Sequence, residues 1–144
     1  MKKHFFSGGK QFFNIKPLTL ISVFITRDGT IVSGDSLATI SFWDPRTCTM
    51  TQYIKSHASD ILALTSNEAG TVIFSAGVDR NLIQYKQVNK TMNKNKGHER
   101  KKWVACGERR NHSHDIKSIA LFEKRPIDAL VTGGKLSFLF LPFF

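Results

Sequence analysis

Asp28-Gly29-Thr30-Ile31-Val32-Ser33-Gly34-Asp35-Ser36, followed two residues later by Thr39-Ile40-Ser41-Phe42-Trp43-Asp44, is the stretch on which the fold turns. Asp28-Gly29 is a hairpin signal, because the tight turn between antiparallel strands needs residues that accept positive φ. Thr30–Ser33 is the returning strand, and Gly34-Asp35-Ser36 turns the chain again. Thr39–Trp43 is rich in β-branched and aromatic residues, which pack well on a pleated surface, and Pro45 then breaks the run. Upstream, Ile21–Ile25 is an apolar β-branched strand; downstream, Thr49–Ile54 is a fourth. Four short strands with a turn at each junction predict an all-β sandwich, barrel or propeller.

The pattern returns. Ile61–Thr65 is a strand, residues 67–70 a turn, Thr71–Ser75 a strand, residues 76–80 a turn and Asn81–Tyr85 a strand. Ser33 and Ser75 lie 42 residues apart, and so do Trp43 and Tyr85. That spacing falls within the period of a four-stranded propeller blade, roughly 40–45 residues. A third copy starts later: Asn111-His112-Ser113-His114-Asp115-Ile116 echoes Ser56-His57-Ala58-Ser59-Asp60-Ile61, and Val131-Thr132-Gly133 echoes Val32-Ser33-Gly34. His57 and His112 are 55 residues apart, so the second copy must hold an insertion. Residues 86–101 are its place. They are polar, basic and without hydrophobic period, and predict a mobile loop. Lys102–Cys106, holding Trp103, resumes as an outer strand. The expected organisation is therefore a divergent segment 1–20, a blade over 21–55, a second over 56–110 with the insertion 86–101, and a third, truncated one over 111–144. The last ends in an apolar tail, Leu136 to Phe144, which does not follow the repeat and would favour aggregation if left unpaired.

Phe42-Trp43-Asp44 closes its strand ten residues after Ser33, and in this the chain resembles the WD-repeat family. The resemblance implies an all-β partial WD-repeat β-propeller of about two and a half four-stranded blades. It also implies a structural hydrogen-bond network in each blade: a His before the first strand, a Ser or Thr on the second, an Asp in the next turn and a Trp ending the third. The matching residues of the second copy are His57, Ser75, Asp79 and Tyr85, with Tyr in the place of Trp. The first copy has Ser33 and Trp43, followed by Asp44, but Leu37 where the Asp belongs. The third has His112 and Thr132. Physical chemistry asks for such a network in any case, since buried His, Ser and Asp are tolerable only when hydrogen-bonded to one another. An imidazole can join a hydroxyl to a carboxylate through its two nitrogens. The order of segments, from Asp28–Ser36 through Phe74-Ser75-Ala76-Gly77-Val78-Asp79 and Lys102-Trp103 to His112–Ile116, is similar to the cirhin family of WD-repeat components of the small-subunit processome. That likeness, over roughly residues 21–134, implies a nucleolar scaffold in early pre-ribosomal RNA processing. Its implied partners are other processome proteins and pre-ribosomal RNA. Members of that family are far longer, so the chain reads as a fragment, a splice form or a faulty gene model. A general WD-repeat adaptor for ubiquitin ligation or signalling, with no RNA role, is the competing expectation.

Charge separates these readings. The net charge is +10, and nine basic residues against two acidic ones place +7 of it within residues 86–110. Lys94, Lys96, Arg100, Lys101, Lys102, Arg109 and Arg110 are the candidates for phosphate contacts to RNA. The same run also reads as a solvated loop, and Trp103 reads either as a base-stacking ring or as a residue packed within its strand. Two cysteines, Cys48 and Cys106, make no disulfide framework and predict reduced thiols in an intracellular protein. Lys10, Lys16 and Pro17 spoil the N-terminus as a secretion signal, and no apolar run is long enough to span a membrane as a helix. Ser75, His57 and Asp79 have the composition of a hydrolase triad, but no strand–turn–helix elbow surrounds the serine and the repeat accounts for all three. Cys106, His112 and His114, with His98, match no common zinc spacing. No enzyme activity, metal, cofactor, membrane or small-molecule substrate is expected. A propeller closes with at least about four blades, and repeat units lean on their neighbours. The isolated chain is therefore expected to be marginal, to associate, or to need further blades.

Overall fold

The computed structural model describes residues 18–90, 100–110, 112–124, 127–135 and 138–142, and among these every regular element is a strand. The first sheet holds β1 (Leu20–Ile25), β2 (Ile31–Asp35), β3 (Thr39–Asp44) and β4 (Thr49–Lys55). The second holds β5 (Ile61–Ser66), β6 (Val72–Gly77), β7 (Leu82–Lys90) and β8 (Arg100–Arg109). The third holds β9 (Ile116–Lys124), β10 (Ile127–Gly134) and β11 (Phe138–Pro142). Within each sheet consecutive strands pair antiparallel in sequence order. The sheets stack face to face, β1 beside β5 and β5 beside β9, which is the arrangement of successive propeller blades.

The turns follow from local chemistry. Gly29 and Gly70 carry φ of 87° and 70°, where a side chain is strained. Each closes its turn by donating its N–H, to the Thr26 and Asn67 carbonyls respectively, both at 3.0 Å. Asp28 Oδ1 accepts from the Thr30 N–H at 3.1 Å, and Asn67 Oδ1 accepts from the N–H groups of Thr71 and Val72, each at 2.8 Å. In this way the exposed backbone donors of each hairpin are met by a residue already in it.

The two-residue period of a strand divides each blade into two faces. On the second sheet, Ile73, Ser75, Ile83 and Tyr85 share one face, set by the register Ile73↔Tyr85 and Ser75↔Ile83. Ile73, Ile83 and Tyr85, with Trp103, form one core cluster with Val32, Ile40 and Phe42 of the first sheet. Phe74, Ala76 and Leu82 take the opposite face and cluster with Ile116 and Leu130 of the third sheet. We call the face turned to the preceding blade the leading face and the other the trailing face.

Three expectations about the segments change. The basic stretch 86–101 is strand at both ends, with Lys86↔Val104, Val88↔Lys102 and Lys90↔Arg100 in register. A ladder needs only backbone donors and acceptors, which every residue but proline supplies, so a polar, aperiodic sequence can lengthen a hairpin; residues 91–99 lie outside the described residues. Leu20, expected in the divergent segment, begins β1, and the neighbouring Thr19 is tied to the blade. Ser36 donates its N–H to the Thr19 carbonyl at 2.9 Å and Thr19 donates its N–H to Ser36 Oγ at 3.1 Å; residues 1–17 lie outside the described residues. The apolar tail, expected to depart from the repeat, supplies β11, with Thr132↔Leu139, Val131↔Phe140 and Ala129↔Pro142 in register.

Candidate functional site: the repeat hydrogen-bond network and the basic strand

In the second blade four residues from four segments meet between sheets. His57 comes from the link between β4 and β5, Ser75 from β6, Asp79 from the β6–β7 turn and Tyr85 from β7. His57 Nδ1 lies 3.0 and 2.9 Å from the two Asp79 carboxylate oxygens, and Nε2 lies 2.6 Å from Ser75 Oγ. Ser75 Oγ is 3.0 Å from the Tyr85 hydroxyl, which also bonds Ser56 Oγ. One proton assignment satisfies the whole chain. Ser56 donates to Tyr85, Tyr85 to Ser75, Ser75 to Nε2, and the Nδ1–H of a neutral His57 to Asp79. Asp79 also accepts from the N–H of Ala58 at 2.9 Å and of Asn81 at 3.1 Å. Burial by itself would raise the Asp79 pKa, but these donors outweigh it and hold the carboxyl below its ordinary value. Burial pushes the Tyr85 phenol up, and the Ser56 and Ser75 bonds do not undo that.

Parts of this network recur. In the third blade His112 Nε2 lies 2.6 Å from Thr132 Oγ1, and both residues are buried. In the first blade Trp43 Nε1 donates to Ser33 Oγ at 2.9 Å, the place that the Tyr85 hydroxyl takes beside Ser75. Asp44, grouped with the network on its sequence position, stands apart from it. Its Oδ1 accepts from the Arg46 N–H at 2.9 Å and faces Arg46 Nε at 3.5 Å, and that backbone donor leads in keeping its pKa low. A side chain at a strand end closes the local turn more readily than it reaches the core.

Three features lie outside the residues that the sequence singled out. Asp35, two residues before Leu37, is buried and closes the β2–β3 turn, its Oδ1 accepting from the N–H groups of Leu37 at 2.8 Å and Thr39 at 2.9 Å. Gly77 and Gly134 occupy equivalent positions, and a Cβ on them would stand 2.0 and 2.5 Å from the carbonyl oxygens of Asp60 and Asp115. The Gly directly after the Ser75-Ala76 and Thr132-Gly133 pairs was the available signal. Gln52 of β4 takes hold of β8 across the blade junction: its Nε2 donates to the Trp103 carbonyl at 2.7 Å and its Oε1 accepts from the Trp103 N–H at 2.9 Å. No local signal in sequence marks that contact, because its two halves are 51 residues apart.

The arrangement of Ser75, His57 and Asp79 is a triad in composition and a closed structural bridge in fact. Ser75 is 0% exposed, and its hydroxyl is shared between His57 and Tyr85. A nucleophile must reach a substrate carbon, and this one reaches only its own blade. Among the described residues no group of three or more His, Cys, Asp or Glu side chains could hold a metal ion; His98 lies outside them.

The candidate phosphate contacts are dispersed. Arg100, Lys101, Lys102 and Arg109 belong to β8 and Arg110 follows it; Lys94 and Lys96 lie outside the described residues. Lys101 and Lys102 are both exposed and, as strand neighbours, point to opposite faces. Lys101 attracts Asp28 of the first blade. Arg109 sits eight strand positions beyond Lys101, about 26 Å along an extended chain. Trp103 is 5% exposed and stacks on Phe42, with ring centroids 5.2 Å apart and an interplanar angle of 10°. The stacked ring belongs to the blade junction, which removes the base-stacking reading of Trp103.

Comparison with known proteins accords with this geometry. The chain is 41% identical over 108 residues to U3 small nucleolar RNA-associated protein 4 of Schizosaccharomyces pombe, covering 75% of the chain and 14% of that protein. It is 38% identical over 112 residues to the Saccharomyces cerevisiae protein of the same name, covering 78% of the chain and 14% of that protein. The chain thus spans about one seventh of the length of the relatives it matches. Its fold superposes on the crystal structure of RRP9 WD40 repeats with a TM-score of 0.62 at 16% identity, over 80% of this chain and 30% of that one. No family model matches.

Proposed function

The chain belongs to the family of U3 small nucleolar RNA-associated protein 4 and has the fold of WD40 repeats, and from that premise we propose that it is a scaffold segment of the small-subunit processome, acting in early pre-ribosomal RNA processing in the nucleolus. The observation that carries the proposal is the likeness, through the repeat segments, to proteins named for association with U3 small nucleolar RNA. A scaffold needs rigid blades and an accessible surface rather than a reaction centre, and Ser75, His57 and Asp79, which have the composition of a catalytic triad, are sealed within a blade. Partners on this reading are other processome proteins and pre-ribosomal RNA. Lys94, Lys96, Arg100, Lys101, Lys102, Arg109 and Arg110 offer positive charge to phosphates along the segment from β7 to the end of β8. The dispersal of the β8 residues over two faces and both ends of the strand suits sequence-independent backbone contact rather than base readout.

RNA recovered with the tagged chain from nuclear extract tests the proposal. Pre-ribosomal leader sequence should be enriched over mature ribosomal RNA. Neutralising Lys94, Lys96, Arg100, Lys101 and Lys102 should reduce recovery and flatten its salt dependence. The slope should fall by about 0.7 for each phosphate of a single strand that is no longer neutralised. A soluble, folded chain that enriches no pre-ribosomal RNA and recovers no processome protein would leave the general adaptor in its place.

A further inference from the structure

The insertion in the second blade builds one wall of a pocket. β3 stops at Asp44, directly after Trp43, whereas β7 runs on from the equivalent Tyr85 to Lys90, paired with β8 as far as Lys90↔Arg100. Gln87 and Trp103 stand opposite one another in that ladder, and Lys101, two residues before Trp103, points to the same face. Trp103 stacks on Phe42, so this face is turned to the first blade. The β1–β2 and β3–β4 turns of the first blade stand across from it. Between them lies a pocket of about 500 Å³, bordered by Gln87, Lys101 and Trp103 on one side and by Asp28, Asp44 and Arg46 on the other. It lies between two blades that are both present, and loops that extend an element to form a concavity are where binding residues concentrate.

The polar groups of the pocket are unevenly satisfied. Asp28 takes the Thr26 hydroxyl and the Thr30 N–H on Oδ1, the latter at 3.1 Å. Asp44 likewise takes the Arg46 N–H on Oδ1 at 2.9 Å and faces Arg46 Nε with the same oxygen at 3.5 Å. Oδ2 of each carboxylate is left without a donor at hydrogen-bond distance among the described residues. Burial would raise the Asp28 pKa, but the Thr26 and Thr30 bonds outweigh it, Lys101 adding least, and the Arg46 N–H leads in lowering that of Asp44. Both carboxylates are therefore ionised at neutral pH. The Arg46 side chain is 89% exposed, and an ion pair so placed is held loosely. Trp103 supplies the complement. It is 5% exposed, and Gln52 takes both its backbone N–H and its carbonyl, yet its indole N–H has no acceptor among the described residues. The Trp43 indole, by contrast, donates to Ser33 Oγ at 2.9 Å. A donor on a ring this buried ordinarily finds a partner.

We infer that this pocket receives an arginine side chain of a partner protein, its guanidinium donating to Oδ2 of Asp28 and Asp44 in place of Arg46, while a backbone carbonyl of the same partner segment accepts from the Trp103 indole. A guanidinium suits two carboxylates at once, because its five donors lie in a planar fork and stay charged. A strand of RNA can touch Lys101 from outside, but inside the pocket its phosphates would face two ionised carboxylates, so the pocket favours protein. The inference names the chemistry of one side chain and does not rest on the processome reading.

Titration of the whole chain, followed by its nitrogen-15 spectrum, decides it. The chain has two tryptophans and so two indole N–H signals, assigned with Trp43→Phe. The probe is an end-blocked Gly-Arg-Gly peptide. Its control carries citrulline, which keeps the shape of arginine and loses the charge. The arginine peptide should move the Trp103 signal saturably and further than that of Trp43, which Ser33 holds, and the citrulline peptide should bind at least about tenfold more weakly. Asp28→Asn and Asp44→Asn keep the Oδ1 acceptor that each turn uses and put an amide donor in place of Oδ2. Each should weaken the arginine peptide about tenfold, with an unchanged Trp43 signal reporting an intact blade. A Trp103 signal that stays in place, that moves equally with citrulline, or that responds alike in the parent and both Asn variants would each overturn the inference. A signal moved by a uridine oligonucleotide but not by the arginine peptide would make the pocket an RNA groove and overturn it as well.

Discussion

His57 holds a carboxylate on one nitrogen and a hydroxyl on the other, so its loss strands two buried partners at once. His57→Ala should cost about 3 kcal/mol, the scale for breaking a buried, hydrogen-bonded pair, as read by urea unfolding. Tyr85→Phe removes the hydroxyl that links Ser56 to Ser75 in the same chain and should cost about 1 kcal/mol. The Asp79 carboxyl has a folded pKa below its ordinary value. Its contribution is therefore complete above the unfolded value, about 3.9, and is lost as pH falls through the lowered folded value. Urea unfolding repeated down the acid limb should show stability declining over that window, and Asp79→Asn should flatten the decline. The roles of these residues were legible in sequence through the resemblance to the WD-repeat family, with only Ser75 and Tyr85 marked also by a 42-residue offset from Ser33 and Trp43. Asp44 was not, because adjacency to Trp43 says nothing about which way a side chain turns at a strand end.

At the scale of the element, the two kinds of glycine separate two causes. Gly29 has open space around it and only its positive φ to protect, so Gly29→Ala should cost about 1 kcal/mol. Gly77 faces the Asp60 carbonyl at a distance no Cβ tolerates, and backbone must move, so Gly77→Ala should cost about 2–3 kcal/mol. Thermal melts of the two variants give the comparison directly; equal losses would mean that the close approach is not what holds Gly77. Most strands were readable from turn residues and β-formers between them. The ends of β7 and β8 were not, because their pairing rests on backbone groups that carry no residue-type signature.

For the whole molecule, the blade junction is the unit of stability. Phe42 is fully buried in the cluster that joins the first two sheets and stacks on Trp103. Phe42→Ala should cost about 3–5 kcal/mol, a large fraction of a domain's usual stability of about 5–15 kcal/mol. Since the cluster is shared, calorimetry should show both blades lost together rather than one. Gln52→Leu, which strands the Trp103 N–H and carbonyl, should lower stability by about 1–3 kcal/mol through the same junction. By itself the sequence determined the all-β class and the blade period, written in local propensity and in the 42-residue offset of Ser33 to Ser75 and Trp43 to Tyr85. The roles of His57, Ser75, Asp79 and Tyr85 in one network came from the resemblance to the WD-repeat family. Only the tertiary structure decided which face of each strand meets which blade, that Trp103 lies stacked and clamped, and that the basic residues of β8 point two ways. Those depend on sheet register and on contacts between residues dozens of positions apart, where a shift of one residue would exchange inside for outside.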